Sequence, residues 1–266
     1  MEERKIFDLS GKVALVTGGG RGLGRVFCES LAEFGADIAC VDVVDQNLTD
    51  TVTALERFGG RAVSIKADIS KPDEIDRMVD ATVRKLGTID ILFNNAGITD
   101  FPSRISETPI EKWERIIAVN LTGVFLCMRA VLPVMLKQKK GSIINISSIG
   151  AFGGSNPEVA PAAYGASKAG VISLTKMGAV EYAREGIRVN CIAPGMHDTG
   201  FGVQSDAELE KQRQQDMEEL ISRIIPMGRV AQPVEIKGLA VYLASDASSF
   251  VTGQVFIQDG GQLAQI

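Results

Sequence analysis

Short apolar runs recur along the chain, and a longer segment with helical periodicity follows nearly every one of them. Most of these runs are continuous rather than alternating, which is typical of strands covered on both faces. Because strands and helices alternate regularly, the pattern predicts an α/β fold, a doubly wound parallel sheet of about seven strands with helices on both faces. The predicted strands are Val13–Val16, Ile38–Val41, Ala62–Ile65, Ile89–Phe93, Ile143–Ile146, Val189–Ile192 and Val255–Ile257.

The spacing of these elements leaves no room for a linker, a low-complexity stretch or an internal repeat. We therefore predict a single domain over residues 1–266. No apolar run approaches the ~20 residues that a membrane-spanning helix needs. The first five residues carry mixed charges and are not followed by the hydrophobic segment of a signal peptide. We expect a cytoplasmic protein with no membrane partner.

A glycine-rich turn follows the first strand at Thr17–Gly24, and a helical pattern then runs to about Phe34. Glycines allow a tight turn and a close approach to a pyrophosphate, while the helix start supplies N–H groups and a positive dipole end. A purely structural glycine turn would show the same composition, but its place between strand and helix favours a dinucleotide. The loop residues that we expect at the cofactor are Gly18, Arg21, Gly22, Leu23 and Gly24.

Asp42 ends the second strand eighteen residues beyond Gly24. An acidic side chain at this distance can accept hydrogen bonds from the adenosine ribose hydroxyls and would repel a 2′-phosphate. Arg21 is the opposing signal, because a basic residue in the loop could pair with that phosphate. We predict NAD as the cofactor, with NADP as the alternative.

Polar and small residues also follow the third and fourth strands. Asp68 and Ile69 come before a helix start, where Asp68 could contact the adenine or merely help that helix begin. Asn95, Ala96 and Gly97 follow the fourth strand, at the edge of the sheet where such folds bind cofactors, although a plain turn would have similar residues.

Tyr164 and Lys168 lie four residues apart in a stretch of small side chains. If the stretch is helical, both side chains lie on one face, one turn apart. A phenol titrates near ~10, and a neighbouring cation favours the phenolate and lowers that pKa. Such a pair could pass a proton to or from a substrate oxygen. The alternative is a helix with a half-buried Tyr and a solvated Lys.

Charge and composition exclude several other classes. The net charge of -5 and the pI near 5.1 argue against nucleic acid as the main partner. One histidine, His197, leaves no site with two His ligands, and the four cysteines form no C-x-x-C, so we expect no metal. Ser173 and Lys176 form an S-x-x-K, but the companion motifs of serine acyltransferases are missing.

The motifs in this order resemble the short-chain dehydrogenase/reductase family over nearly the whole chain. The resemblance covers T-G-x-x-x-G-x-G at Thr17–Gly24, Asp42, Asp68, N-N-A-G at Asn94–Gly97, Asn120 in V-N-L, Ser148, Tyr164, Lys168, Pro194-Gly195, Thr199 and the carboxyl end from Thr252 to Gly261. It implies a Rossmann fold and an NAD(P)-dependent oxidoreductase that interconverts a secondary alcohol and its ketone.

The resemblance also implies roles for single residues. Tyr164 would be the acid/base, and Lys168 would lower its pKa and hold the nicotinamide ribose. Ser148, rather than the competing Ser147, would orient the substrate oxygen, and Asn120 would hold a water that extends the proton path. Residues at the nicotinamide end would be Pro194, Gly195 and Thr199.

Several features bear on the substrate. A flap is expected at about 196–226, where His197 could touch a polar substrate or simply lie on the surface. Ser148 and Tyr164 are sixteen residues apart, longer than is common in the family, with the extra residues within Ser155–Val159. Mixed polar groups favour a small sugar, polyol or cyclic alcohol. The alternatives are a 3-oxoacyl-(acyl carrier protein) reductase and a non-catalytic nucleotide-binding protein. The family also implies a homo-oligomer, a tetramer or else a dimer.

Overall fold

The fold is known from a computed structural model, which describes residues 6–100, 103–154, 161–200, 221 and 223–265. Within these ranges, seven strands form one sheet in which every neighbouring pair is parallel. This confirms the predicted fold class and all seven predicted strands. The strands are β1 Val13–Thr17, β2 Asp37–Asp42, β3 Ala62–Lys66, β4 Ile91–Asn94, β5 Gly141–Ile146, β6 Ile187–Pro194 and β7 Val255–Gln258.

The order of the strands across the sheet is β3-β2-β1-β4-β5-β6-β7. Chain order therefore reverses direction between β1 and β4, where consecutive connections leave the sheet on opposite faces. In open parallel sheets this switch point opens a crevice outside the carboxyl ends of the strands. The sequence motifs identified above lie at those strand ends.

Seven helices cover the sheet within the described ranges. They are α1 Gly22–Glu33, α2 Asp45–Leu55, α3 Pro72–Leu86, α4 Ile110–Ile117, α5 Gly123–Gln138, α6 Ala162–Tyr182 and α7 Lys237–Ala244. Alternate residues of β1 show why both faces need cover. Val13 and Leu15 belong to the apolar core beneath α3, α5 and α6, whereas Ala14 and Val16 belong to the core beneath α1, α2 and α7.

The sequence predicts one long helix from Ile110, but the structure divides it. A π-helical turn over Ala118–Thr122 joins α4 to α5, and Asn120 lies within that turn with its side chain fully buried. A π-turn widens a helix locally and often marks a functional site. The interruption thus occurs at the residue for which the family resemblance implies a role.

By length and composition, the helical stretch Ile110–Gln138 is apolar enough to cross a membrane, with a mean hydropathy of 1.8. Its packing accounts for this composition. Val124, Cys127, Val131 and Met135 project from α5 into the core against the sheet and are at most 1% exposed. These side chains are apolar because they form the interior of an α/β fold.

Candidate active site

A cleft of about 2980 Å³ crosses the carboxyl ends of the strands. That volume exceeds the ~300–1,000 Å³ of an ordinary small-molecule pocket, which leaves room for a dinucleotide together with a substrate. Of the residues predicted for the site, Asn120 alone does not line the cleft. Those that line it are Gly18, Arg21, Gly22, Leu23, Gly24, Asp42, Asp68, Ile69, Asn95, Ala96, Gly97, Ser148, Tyr164, Lys168, Pro194, Gly195 and Thr199.

The glycine loop is held in place by the ends of β1 and β4. The Asn95 side-chain amide donates to the carbonyl oxygens of Thr17 and Gly18, at 2.9 and 3.1 Å. In return, the buried Thr17 hydroxyl accepts from the backbone N–H groups of Asn95 and Ala96 and donates to the Phe93 carbonyl. These bonds set the shape of the loop before any ligand enters.

Close backbone contact explains two glycines of the loop. A Cβ on Gly24 would lie 1.9 Å from the Gly18 carbonyl oxygen, so only glycine allows the first turn of α1 to pack against the loop. Gly18 itself has a φ of +61°, and a Cβ there would lie 2.8 Å from Ala96 Cα. The loop therefore leaves its surface open to a pyrophosphate, which fits a dinucleotide cofactor.

Asp42 lines the cleft at the end of β2 and also braces the glycine loop. One carboxylate oxygen accepts from the Gly20 N–H at 3.1 Å, and the other accepts from the N–H groups of Val43 and Val44. A carboxylate held by backbone donors is fixed in orientation. Arg21 is exposed and also lines the cleft.

Asp68 both lines the cleft and orders the turn before α3, while its contact with an adenine stays a prediction. It lines the cleft, and its carboxylate accepts hydrogen bonds from the Ser70 hydroxyl and N–H at 2.7 and 2.9 Å, which orders the turn before α3. Burial acts to raise the pKa of Asp68, but the Ser70 hydrogen bonds and the nearby Lys71 ammonium outweigh it and leave the pKa below its usual value.

Tyr164 lies in the first turn of α6, facing Ser148 at the end of β5. Burial raises the pKa of Tyr164, and the hydrogen bond with the Ser148 side chain offsets only part of that rise. Ser148 also accepts from the Gly150 N–H at 3.1 Å, which holds its hydroxyl oxygen in place. The phenol therefore keeps its proton at neutral pH in this state of the protein.

Lys168 lies one turn further along α6 and is only 3% exposed. Its Nζ donates to the Ile146 carbonyl at 2.9 Å and lies 5.7 Å from the centre of the Tyr164 ring. Burial lowers the pKa of Lys168 to about 8. The expectation that this cation lowers the pKa of Tyr164 is not met here, because the ammonium is bound to a backbone carbonyl and burial of the phenol dominates.

The structure separates the two candidate serines. The Ser147 hydroxyl is buried and donates to the Lys168 carbonyl at 2.7 Å, so it ties β5 to α6. The Ser148 hydroxyl instead faces Tyr164. This arrangement favours Ser148, the serine that the family pattern indicates, as the side chain that meets a substrate oxygen.

Asn120 lies behind the cleft rather than on its surface. Its amide oxygen accepts from the Ile98 N–H and its amide nitrogen donates to the Ile98 carbonyl, both at 2.8 Å. The same nitrogen reaches the Ser167 hydroxyl at 3.3 Å, and that hydroxyl donates to the Tyr164 carbonyl at 2.7 Å. The side chain is thus bonded to protein groups, and it links Ile98 to α6.

Gly195 follows β6 and joins the cleft to the carboxyl end of the chain. Its N–H donates to the Gln258 carbonyl at 2.8 Å, and a Cβ on it would lie 2.7 Å from Asp259 Cα. Thr199 packs beside the glycine loop, 3.4 Å from the Cβ position of Gly22. Thr199 therefore brings the start of the expected flap into contact with the cofactor loop.

Part of the substrate region lies outside the described residues. This applies to the flap between 201 and 220 and at 222, and to the extra residues expected within 155–159. The described start of the flap includes His197, which lines the cleft and whose Nδ1 lies 3.1 Å from the Gly195 carbonyl. No group of three His, Cys, Asp or Glu side chains in the described ranges could hold a metal ion.

A family model described as enoyl-(acyl carrier protein) reductase matches residues 18–262. The chain also matches the crystal structure of a short-chain type dehydrogenase/reductase from Mycobacterium marinum, at 37% identity, a TM-score of 0.89 and 98% coverage of both chains. The chain belongs to the short-chain dehydrogenase/reductase family. The resemblance seen in the motifs is thereby confirmed.

Curated members of the short-chain dehydrogenase/reductase family differ in what they act on. A 3-oxoacyl-[acyl-carrier-protein] reductase from Synechocystis sp. is 40% identical over 257 residues, with 96% of this chain and 98% of the relative covered. A cis-4-hydroxycyclohexanecarboxylate dehydrogenase from Sinomonas cyclohexanicum is 38% identical over 256 residues, with 95% and 97% covered. Membership in the family therefore establishes an oxidoreductase but does not identify its substrate.

Several residues around the site of this short-chain dehydrogenase/reductase were not predicted, and four of them illustrate why. Thr17 and Ser167 support it from behind, and their signals were weak: a hydroxyl before the glycines and a serine three residues after Tyr164. Arg104 and Gln262 line the cleft, but they come from distant loops. No local pattern in the sequence relates either of them to Tyr164.

Proposed function

We propose that the protein is an NAD-dependent oxidoreductase that interconverts a secondary alcohol and its ketone, with Tyr164 as the acid/base. The observation that carries the proposal is the arrangement of Tyr164, Ser148 and Lys168 at one end of a cleft whose other end is a glycine cradle. When bound, the nicotinamide would supply or accept the hydride. The protein would then need only to position the substrate and move one proton.

The protonation state of Tyr164 supports proton transfer from the phenol to a ketone oxygen. Because burial raises the pKa of Tyr164, the phenol is protonated at neutral pH and can donate to the oxygen of a ketone that is being reduced. The Ser148 hydroxyl beside it would stabilise the negative charge developing on that oxygen. In the oxidative direction the phenol must first lose its proton, so alcohol oxidation should accelerate as the pH rises.

Lys168 would hold the nicotinamide ribose at the floor of the cleft. Its ammonium lies 3.3 Å from the Cβ position of Gly97, at the end of the segment after β4. Asn120 would act from behind by fixing the position of Ile98, and Pro194, Gly195 and Thr199 would enclose the nicotinamide end. We assign Asn120 as a positioning residue, since its side chain does not reach the cleft.

The preference for NAD rests on Asp42. Its carboxylate lies at the cleft surface, held by three backbone N–H groups, where a 2′-phosphate would be repelled. Gly18, Arg21, Gly22, Leu23 and Gly24 would surround the phosphates, with Asp68, Ile69, Asn95 and Ala96 nearer the adenosine and the sheet. NADP could be used only if the attraction of Arg21 for the 2′-phosphate outweighed the repulsion by Asp42.

The proposed substrate is a small sugar, polyol or cyclic alcohol. The cleft around Tyr164 contains several polar groups, and the cyclohexane-carboxylate dehydrogenase is among the relatives. We further propose a cytoplasmic homo-oligomer, a tetramer before a dimer, as the family commonly forms. Neither nucleic acid nor membrane is proposed as a partner.

A second candidate is reduction of a 3-oxoacyl group on acyl carrier protein, which is the named activity of the relative from Synechocystis. An acidic carrier needs basic residues near the mouth of the cleft. Arg104 and Arg115 are exposed there and supply one such feature. The net charge of -5 favours the free small molecule instead.

The test is a spectrophotometric screen of the purified protein with NAD and NADP against sugars, polyols, cyclic alcohols and their ketones, and with reduced cofactor against acetoacetyl thioesters. We expect turnover of alcohols with NAD. Turnover of thioesters alone would favour the second candidate. Binding of NADH without hydride transfer to any member of the panel would indicate a non-catalytic nucleotide-binding protein.

A further inference from the structure

Four buried side-chain atoms lack a hydrogen-bond partner among the described residues. They are Asn94 Oδ1, His197 Nε2, Gln258 Oε1 and Gln262 Oε1. A buried polar atom without a partner costs free energy, so each such atom needs an explanation. Two of these residues, His197 and Gln262, line the cleft, whereas Asn94 and Gln258 do not. A ligand in the cleft could therefore bond to His197 Nε2 and Gln262 Oε1 and leave Asn94 Oδ1 and Gln258 Oε1 unaffected.

Contacts along the chain bring His197 and Gln262 to the same end of the cleft. The His197 ring is anchored on the Gly195 carbonyl, and Gly195 packs against the backbone of Asp259. The Gln262 N–H in turn donates to the Asp259 carbonyl at 3.3 Å, in a short helical turn over Gln262–Ala264. The Gly195–Asp259 contact thus places both side chains beside the carboxyl end of β6.

The position of His197 and Gln262 favours the substrate, rather than the adenosine of the cofactor, as the ligand of these two side chains. β6 is the neighbour of β5, and Ser148 follows the end of β5 by two residues, while Asp42 ends β2 on the far side of the switch point. A group that reaches His197 and Gln262 therefore enters from the catalytic end. The adenosine half of a dinucleotide would lie at the other end of the cleft, beside Asp42.

The hydrogen-bonding roles of the two atoms follow from their surroundings. A carbonyl oxygen can only accept, so the bond to Gly195 requires the proton on His197 Nδ1. In that tautomer Nε2 carries the lone pair and is an acceptor. Gln262 Oε1 is an acceptor as well. Two acceptors at one end of the cleft call for a ligand with a hydrogen-bond donor, and among alcohols that donor is a further hydroxyl group.

We propose that His197 Nε2 and Gln262 Oε1 each accept a hydrogen bond from a further hydroxyl of the substrate, distinct from the hydroxyl that Tyr164 deprotonates. The inference rests on the proposed function and narrows its substrate to polyhydroxylated alcohols such as cyclic diols, polyols or sugars. His197 and Gln262 are thereby specificity residues. A substrate without further hydroxyls leaves both atoms unpaired, and a diol, with one further hydroxyl, satisfies one of them.

The test compares cyclohexanol with the three cyclohexanediols. In the wild type, we expect kcat/KM for the best diol to exceed that for cyclohexanol about tenfold, from one neutral hydrogen bond to one of the two acceptors. Gln262→Met removes the acceptor at similar length. His197→Asn keeps an amide nitrogen where Nδ1 donates to Gly195 and removes Nε2. Each variant should lose most of the preference for the diol whose second hydroxyl meets the acceptor it removes, through a higher KM, with little change for cyclohexanol.

Gln254→Met is the matched control, because Gln254 is exposed and outside the cleft, with its side chain bonded to the Thr252 carbonyl. It should keep the wild-type ratio. His197→Gln, which returns an amide group near the Nε2 position, should recover part of the preference. An unchanged ratio in both Gln262→Met and His197→Asn would overturn the inference, as would equal losses for the diol and cyclohexanol.

A binding measurement separates this inference from the proposed function. The NADH-bound protein is titrated with each diol and with cyclohexanol by calorimetry, in the wild type and the same variants. If no alcohol is turned over but diol binding weakens in Gln262→Met, the proposed reaction fails and the hydroxyl site stands. Weaker NADH binding with an unchanged diol ratio would assign the two atoms to the cofactor and overturn the inference.

Discussion

The two ends of the cleft are built in contrasting ways. At the glycine loop, the polar side chains of Thr17, Asp42 and Asn95 are bonded to backbone groups of neighbouring loops. At the catalytic end, Lys168 is buried with its charge, and His197 carries an unpaired buried nitrogen. The first end is complete in itself, while the second retains groups whose best partners are ligands.

The contrast shows that the cofactor end of the cleft is built for stability and the catalytic end for chemistry. Bonds among protein groups order the cofactor cradle before binding, which reduces the entropy lost when a dinucleotide enters. Burial at the catalytic end shifts pKa values and leaves polar atoms unpaired, and these are features of functional sites that cost stability. Variants at the two ends should therefore fail in opposite ways.

The largest effect is expected from Tyr164→Phe at the catalytic end. Without the phenol hydroxyl no group can exchange the substrate proton, so kcat/KM should fall about a thousandfold. NADH should still bind, as seen by its fluorescence, since the cradle is untouched. Tyr182→Phe, at the far end of the same helix, is the control and should keep full turnover. Turnover retained in Tyr164→Phe would rule out the proposed acid/base role.

At the cradle, Gly24→Ala should give the opposite pattern. The new methyl group would meet the Gly18 carbonyl at 1.9 Å, so the loop must move, and overpacking of this kind costs ~1–3 kcal/mol of stability. We expect NADH affinity to fall about a hundredfold, together with a lower midpoint of thermal unfolding.

Gly238→Ala is the matched control for the cradle variant. Gly238 lies in α7 with nothing within 4 Å of its Cβ position, so alanine should leave cofactor binding unchanged and stabilise the helix by ~0.5–1 kcal/mol. If Gly24→Ala bound NADH normally, the close packing of loop and helix would not be what shapes the cradle.

Lys168→Met should stabilise the protein while abolishing efficient turnover. Burial lowers the pKa of Lys168 from 10.5 to about 8, so the folded state disfavours the charged form that predominates in the unfolded chain below that range. Removing the charge should raise the free energy of unfolding by ~2 kcal/mol at pH 7, even with the bond to Ile146 lost.

The stabilisation expected from Lys168→Met should depend on pH, because the pKa of Lys168 is lower in the folded state than in the unfolded chain. The advantage of Lys168→Met should be full below about pH 8 and should disappear as the pH rises toward 10.5, where the wild-type lysine becomes neutral in both states. Denaturant unfolding of both proteins at pH 7 and pH 10 would measure it. A destabilised variant at pH 7 would show that the Lys168 hydrogen bond outweighs the cost of burying its charge.

The smallest effect is expected from Asp42→Ala, at the cradle. Loss of the carboxylate removes both the partner of the ribose hydroxyls and the repulsion of a 2′-phosphate, so the ratio of kcat/KM for NAD to that for NADP should fall about tenfold. Damage to the glycine loop through the lost Gly20 bond would lower both values and leave their ratio unchanged. Equal use of the two cofactors by the wild type would show that Arg21 offsets Asp42.

Much of the fold could be predicted because its causes are local. Continuous apolar runs must be buried on both faces, so the seven strands were predicted at the observed positions. The pairing of Tyr164 with Lys168 follows from four-residue spacing on a helix. The single long helix predicted from Ile110 was wrong in one detail, since a π-turn at Asn120 divides it, and the Asn120 side chain is bonded to Ile98, twenty-two residues away.

The chemistry of the site could be predicted only in outline. The sequence identified Tyr164 and Lys168, but the direction of their pKa shifts depends on how deeply α6 is buried against β5. Spacing alone suggested that the ammonium would face the phenol. In the structure the ammonium is bonded to the carbonyl of Ile146, because that strand end lies directly beside the helix.

By itself, the sequence determined the parallel sheet, the glycine cradle, the acid at the end of β2 and the order of the catalytic motifs, because each depends on neighbours within a few residues. Tertiary structure decided which serine faces Tyr164, that Asn120 lies behind the cleft, and that His197 and Gln262 both line it. These depend on contacts between residues far apart in the chain, which form only when the strands align.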